Sequence, residues 1–185
     1  IDMILMGHLG DATYIGAIAL GGTIFSVLYS FFSFLRAGTT GFTAQALGSG
    51  NNTETIYSLY RSLCIGIPII ILILATQIPI ARLSNLLLDG SDEVKALAIE
   101  YFFIRIWAAP ANIMLYCLNG WFVGMQNTKI PMLIAILINV TNIIFSIFFV
   151  IILNQNVAGV ALGTVIAQYS GLIFAIIMLI KNYKS

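Results

Sequence analysis

Between Lys129 and Lys181 the chain carries no charged side chain. The polar triplet Asn154-Gln155-Asn156 divides that stretch into two apolar runs. Each is long enough to cross roughly 30 Å of hydrocarbon as a helix, which takes about 20 residues. A helix satisfies its own backbone polar groups where the surrounding solvent cannot, so runs of this kind prescribe membrane-spanning helices. Composition agrees: 60% of residues are hydrophobic, 8% are charged, and the mean hydropathy is +1.02. A soluble domain carries about 25% charged residues. The expected fold class is an all-α transmembrane protein, a polytopic helical bundle.

The same length criterion divides the whole chain. Residues 1–9 read as the tail of a first span, too short to cross alone. Further spans are expected at about 12–47, 56–83, 94–123, 131–153 and 157–180. The 12–47 segment is too long for a simple crossing, and its second half, Arg36 to Gln45, is rich in small and hydroxyl residues that favour close helix approach or line a polar cavity. Gly48-Ser49-Gly50-Asn51-Asn52 is a turn cluster, with Thr53 and Glu54 starting the next helix. Ser91, followed by Asp92 and Glu93, makes a helix cap. Pro68, Pro79 and Pro110 fall inside spans and are expected to bend them.

Charge placement orients the bundle. Arg61, Lys129, Lys181 and Lys184 gather at alternate span ends against Glu54 alone. The opposite ends hold Arg82 and Lys95 against Asp11, Asp89, Asp92 and Glu93. The basic side is expected to be cytoplasmic. A net charge of +1 offers no footprint for nucleic acid, and no polybasic stretch suits peripheral attachment to anionic lipid. Cys64 and Cys117 lie in apolar runs without neighbouring ligands, so helix packing is their expected role and no metal site is expected. Phosphate-cradling loops, nucleophile elbows and metal-spaced His or Cys clusters are absent from the sequence, which points away from an enzyme and leaves no catalytic residue to name.

One ionisable residue stands out. Asp2 is followed by seven mostly apolar residues before the turn at Gly10, and the eight helical steps to that turn place it about 12 Å below the outer boundary of the span. It either snorkels from a frayed helix end or sits near mid-membrane. In the second case desolvation favours its neutral form and allows it to exchange a proton for a cationic substrate. In the fifth span Asn139, Asn142 and Ser146 stand at spacings of three and four, hence on one helical face. Thr164 and Gln168 make a similar pair on the sixth. Such a stripe either hydrogen-bonds between helices or lines a cavity. Glu100 and Arg105, five apart, are not expected to pair, and Arg36 and Arg105 are each expected to seek a carboxylate on another helix. His8 reads as an interfacial hydrogen-bonding residue, and Trp121 and Tyr183 as interface anchors.

Four strings carry a resemblance: Asp2-Met3-Ile4-Leu5-Met6-Gly7-His8-Leu9-Gly10; Phe34 to Ala46 with its Thr39-Thr40-Gly41-Phe42-Thr43-Ala44-Gln45 core; Ile104-Arg105-Ile106-Trp107-Ala108-Ala109-Pro110-Ala111 with Gly120-Trp121 and Gly124; and Val157 to Ala167. Together they resemble the multidrug and toxic compound extrusion (MATE) family, in its DinF-like branch. The resemblance implies two six-helix lobes, of which this chain would be the N-terminal one with helix 1 truncated, residues 1–185 forming a fragment whose C-terminal lobe lies elsewhere in the protein. It implies a multi-pass protein of the bacterial inner membrane that exports amphipathic or cationic small molecules against a proton or sodium gradient, without a cofactor. The family's coupling acid falls on Asp2, its fifth-helix Asn on Asn142 and its sixth-helix Thr on Thr164. Many members carry an acid where this chain has Ser146. A sodium ion wants several oxygens and compensating negative charge, so proton coupling through Asp2 is expected over sodium coupling. Two alternatives stay open: a lipid-linked oligosaccharide flippase of the same superfamily, which would need a strongly cationic cavity, and a non-transporting membrane subunit that binds a partner through its small-residue faces.

Overall fold

The computed structural model describes residues 12–87 and 89–183. The first expected span, with Asp2 and His8, lies outside the described residues. The rest is helical: α1 (Ala12–Phe31), α2 (Phe34–Gly48), α3 (Asn52–Ala75), α4 (Gln77–Leu87), α5 (Asp92–Arg105), α6 (Ala109–Gly124), α7 (Lys129–Ile147) and α8 (Asn156–Tyr183). A 3-10 turn, Ile106–Ala108, joins α5 to α6, and a π-turn, Phe148–Ile152, extends α7. Five segments are long and apolar enough to cross a membrane: Thr13–Gly48, Asn52–Ala75, Asp92–Gly124, Lys129–Ile152 and Asn156–Tyr183.

The helix breaks have local causes. Between α1 and α2, Phe32 and Ser33 donate to carbonyls three residues back. The Ser30 and Ser33 hydroxyls also bond three residues back, to Val27 and Ser30 at 2.7 and 2.8 Å. Such competition for backbone carbonyls bends helices. A proline ring clashes with the carbonyl four residues before it. Accordingly α3 ends at Ala75, four before Pro79, and the 3-10 turn begins at Ile106, four before Pro110. Pro79 and Pro110 then occupy first turns, where a missing N–H costs nothing. Pro68 sits inside α3, which continues through it.

The reversals are equally local. After α2 the Asn51 amide reaches back to the Ala46 carbonyl, with Gly50 at φ 70° supplying the left-handed residue this closure needs. Asn51 then caps α3 by accepting from the Glu54 amide at 3.0 Å. Ser91 accepts from the Val94 amide at the start of α5, as its sequence context predicts. Asn154 takes φ 52° in the triplet that separates α7 from α8.

Helix α5–α6 is the hub. In its most apolar window 56% of the residues are buried, against 17% for α7. One core cluster gathers Phe25, Tyr29, Tyr101, Phe102, Ile106 and Ile113; a second gathers Leu59, Leu118, Trp121, Phe122, Ile130 and Ile134. Outward-facing Phe42, Ile71, Ile151 and Ile177 remain exposed. In lipid there is no hydrophobic gain from covering them, so close packing and hydrogen bonds must hold the helices together.

Glycines make that packing possible. Along α8 the residues Gly159, Gly163, Ala167, Gly171 and Ala175 recur every fourth position, and all are buried. A methyl group on Gly171 would collide with Ile138, and one on Gly163 with the Ser146 hydroxyl and amide. Gly120 and Gly124 of α6 play the same part against α2, where added carbons would lie 2.6 Å from the Arg36 carbonyl oxygen and 2.5 Å from Thr43 Cβ.

Candidate functional site

The described part of the expected polar stripe splits into three environments. Asn142, near the middle of α7, donates from Nδ2 to Thr164 Oγ1 at 3.1 Å, and that hydroxyl donates to the Val160 carbonyl at 3.0 Å. Thr164 is buried and Asn142 half-buried. One turn on, Ser146 is fully buried against Gly163, and its hydroxyl has no hydrogen-bond partner. Asn139 is exposed instead and returns its amide to the Ala135 carbonyl of its own helix at 2.8 Å. Thus three of the four described candidates, Asn142, Ser146 and Thr164, meet at one α7–α8 contact. Asn139 stands apart from them, because no described helix covers that part of the stripe. Asp2 lies outside the described residues.

The site is a cluster of neutral polar groups at a close-packed helix contact. It holds hydroxyl and amide groups with spare capacity and no charge of its own. A second hydroxyl contact extends it towards the α8 C-terminus, where Ser170 Oγ donates to Thr141 Oγ1 at 3.4 Å and to the Ala167 carbonyl at 2.7 Å. Sequence reasoning passed over Ser170 because it paired Thr164 with Gln168. The spacing from Ser170 back to Gly163 and Ala167, on the small-residue row, was the available signal.

Other polar residues of the spans serve packing. Thr39 and Thr43 of α2 are buried against Gly120 and Gly124; the Thr39 hydroxyl donates to Leu35, and that of Thr43 shares a 2.6 Å hydrogen bond with Ser58 of α3. Thr40 Oγ1 lies between the Arg36 and Gly120 carbonyls, at 2.9 and 3.0 Å. Trp121 is not an interface anchor. It is 2% exposed and donates its indole N–H to the Thr55 carbonyl at 2.7 Å. Tyr183 packs edge-on against it and accepts from Asn127. Cys117 is buried and donates to the Ser62 carbonyl, whereas Cys64 is exposed, contrary to the packing role expected of both. Arg105 meets aromatic rings instead of a carboxylate: its guanidinium lies 4.8 Å from the Phe25 centroid and 5.4 Å from that of Tyr101, and it donates to the Tyr101 hydroxyl at 2.8 Å.

An antiparallel array of five apolar crossings packed through glycine contacts, with its free polar capacity confined to helix interfaces, defines a polytopic α-helical membrane protein. The MatE family model matches residues 1–148, and the chain belongs to that family. It is 35% identical over 184 residues to the DNA damage-inducible protein F of Escherichia coli K12, covering 100% of this chain and 40% of that one. It is also 25% identical to the multidrug export protein MepA of Staphylococcus aureus over 98% of this chain and 40% of that protein. The chain therefore spans about 40% of the length of the curated relatives it matches.

Solved structures agree in fold. An inward-facing multidrug resistance MATE family transporter matches with a TM-score of 0.79 at 25% identity, covering 96% of this chain and 40% of that one. An outward-facing one matches with a TM-score of 0.82 at 24% identity, covering 99% and 40%. The protein is a multi-pass protein of the bacterial inner membrane.

Proposed function

We propose that this chain is one lobe of a secondary active antiporter that exports amphipathic or cationic small molecules in exchange for protons. A second lobe of the same protein would supply the other half of the cavity. The reading rests above all on the Asn142–Thr164 contact beside the buried, unpartnered hydroxyl of Ser146. It places neutral hydrogen-bonding groups inside a membrane lobe whose relatives include a protein named for multidrug export. Asp2 is the coupling acid in this reading, on the strength of its sequence string and its depth by helical count. Asn139, exposed on the same helix, faces the cavity from the lobe's open side. The comparable match to inward- and outward-facing structures supports a lobe that rocks as one body against its partner.

The choice of ion follows from charge. Asn142, Ser146 and Thr164 offer neutral oxygens only, and a sodium ion held there would need a carboxylate to compensate its charge. A proton needs one titratable group, and Asp2 supplies it. Two experiments test the reading in the full-length parent protein. D2N should abolish resistance to a cationic dye while membrane insertion stays intact; unchanged resistance would count decisively against Asp2. In reconstituted vesicles a proton gradient should drive export where a sodium gradient alone does not. Equal export on sodium alone would overturn proton coupling.

A further inference from the structure

Two arginines lie deep in the spans with no carboxylate beside them among the described residues. Arg105 stands 13 residues into the Asp92–Gly124 segment, about 20 Å from its start, and Arg36 stands 12 residues before Gly48, about 18 Å from that end. The one ion pair among the described residues joins Glu54 and Arg61. Glu100, the nearest acid to Arg105 in sequence, is exposed. A guanidinium at such depth is costly and marks a functional site by default.

The surroundings of Arg105 are built for it. Gly21 of α1 leaves the space into which the Tyr101 ring fits, since a methyl group there would collide with that ring. Tyr101 and Phe25 then hold the cation over their faces, while one of its five N–H groups goes to the Tyr101 hydroxyl. The buried Tyr29 hydroxyl lies within electrostatic reach of Arg105 and Tyr116 and beside the Asn112 side chain. It makes no hydrogen bond of ordinary geometry there, although it lies close enough to Asn112 for a loose one. Arg36 approaches Tyr116 from α2. Among the described residues, polar groups of α1, α2, α5 and α6 thus lie within electrostatic reach of one another, with one Arg105 N–H spent on Tyr101 and no negative charge among them.

We propose that Arg105, with Tyr29 and Asn112 beside it and Arg36 beyond Tyr116, is an anion subsite that takes the acidic group of an amphipathic molecule. A planar carboxylate, or a sulfonate or phosphate edge, matches the two-pronged donor geometry of a guanidinium. That such a molecule is cargo rests on the export reading; that it binds does not.

Equilibrium binding to the full-length parent in phosphatidylcholine nanodiscs tests this, using rhodamine 6G, an ester, and rhodamine 19, its free carboxylic acid. The wild type should prefer the acid dye. R105Q should weaken acid binding about tenfold, the scale of one charge-assisted hydrogen-bonded contact, and leave the ester within about twofold. R105K, which keeps the charge and loses the fork, should fall between. Equal losses for both dyes, or no change in the preference, overturn the subsite. If R105Q fails to fold, Tyr29→Phe keeps the ring and removes only the hydroxyl: a selective loss for the acid dye supports the proposal, and an unchanged preference overturns it. Repeating the titration in phosphatidylglycerol nanodiscs separates sources, since weaker acid-dye binding there identifies a lipid headgroup as an occupant of the same subsite. A protein that keeps the preference yet exports neither dye would sink the export reading and leave the subsite standing.

Discussion

Two helix contacts in this lobe use the same residue types to opposite ends. Where α2 meets α6, glycines and threonines interlock, and although α2 and α3 leave a cavity of about 320 Å³ beside Thr39, Ser58 and Ser62, the residues Thr39, Thr43, Ser58 and Ser62 are buried and each hydroxyl has a partner. Where α7 meets α8, the glycines are as tight, but the Ser146 hydroxyl is left unpaired and Asn142 is half-open. The first contact leaves no hydroxyl unpaired. The second keeps hydrogen-bonding capacity in reserve. Hydroxyl content alone therefore does not separate the two contacts; unspent hydroxyl capacity does.

Substitutions can break or sharpen that contrast, read as thermal unfolding of the full-length protein in detergent. Gly120→Ala should have the largest effect, about 1–3 kcal/mol of destabilisation, because the new carbon meets backbone that cannot yield. A neutral result would show that the α2–α6 contact is looser than its geometry indicates. Thr43→Val should cost about 1–2 kcal/mol by stranding the buried Ser58 hydroxyl. Asn142→Ala should cost about 0.6–1 kcal/mol, the usual worth of one interhelical hydrogen bond in a membrane, since Thr164 keeps its bond to Val160. Ser146→Ala should change stability by less than about 0.5 kcal/mol, because no partner is lost. If Ser146→Ala proves as damaging as Thr43→Val, the two contacts are alike and the contrast fails.

The fold was legible because bilayer-length apolar runs leave little choice of structure. The positions of the breaks were less so. The three prolines inside the expected spans look equivalent in sequence, yet Pro79 and Pro110 end helices four residues upstream while Pro68 is absorbed within α3. The candidate site was legible as a spacing pattern, but spacing alone does not separate Asn142 and Ser146, which meet α8, from Asn139, which is exposed. Trp121 misled for a different reason. Its position near a span end suggested the interface, whereas it is buried between α3 and α8, against the Thr55 carbonyl and the Tyr183 ring. The partners of Arg105 required tertiary placement, since Phe25 is eighty residues away in the chain.

The glycines of α8 are matched one by one to protrusions of the preceding segment: Gly171 to Ile138, Gly163 to Ser146 and Gly159 to Phe149. The paired positions step in opposite directions along the chain, so the three notches act as detents that index the two helices. A slip of one turn would move Ile138 from Gly171 onto Ala167 or Ala175, where a methyl group already stands. The α7–α8 pair is thus indexed as one unit, and the helix breaks at 32–33, Thr76 and 106–108 all lie outside it.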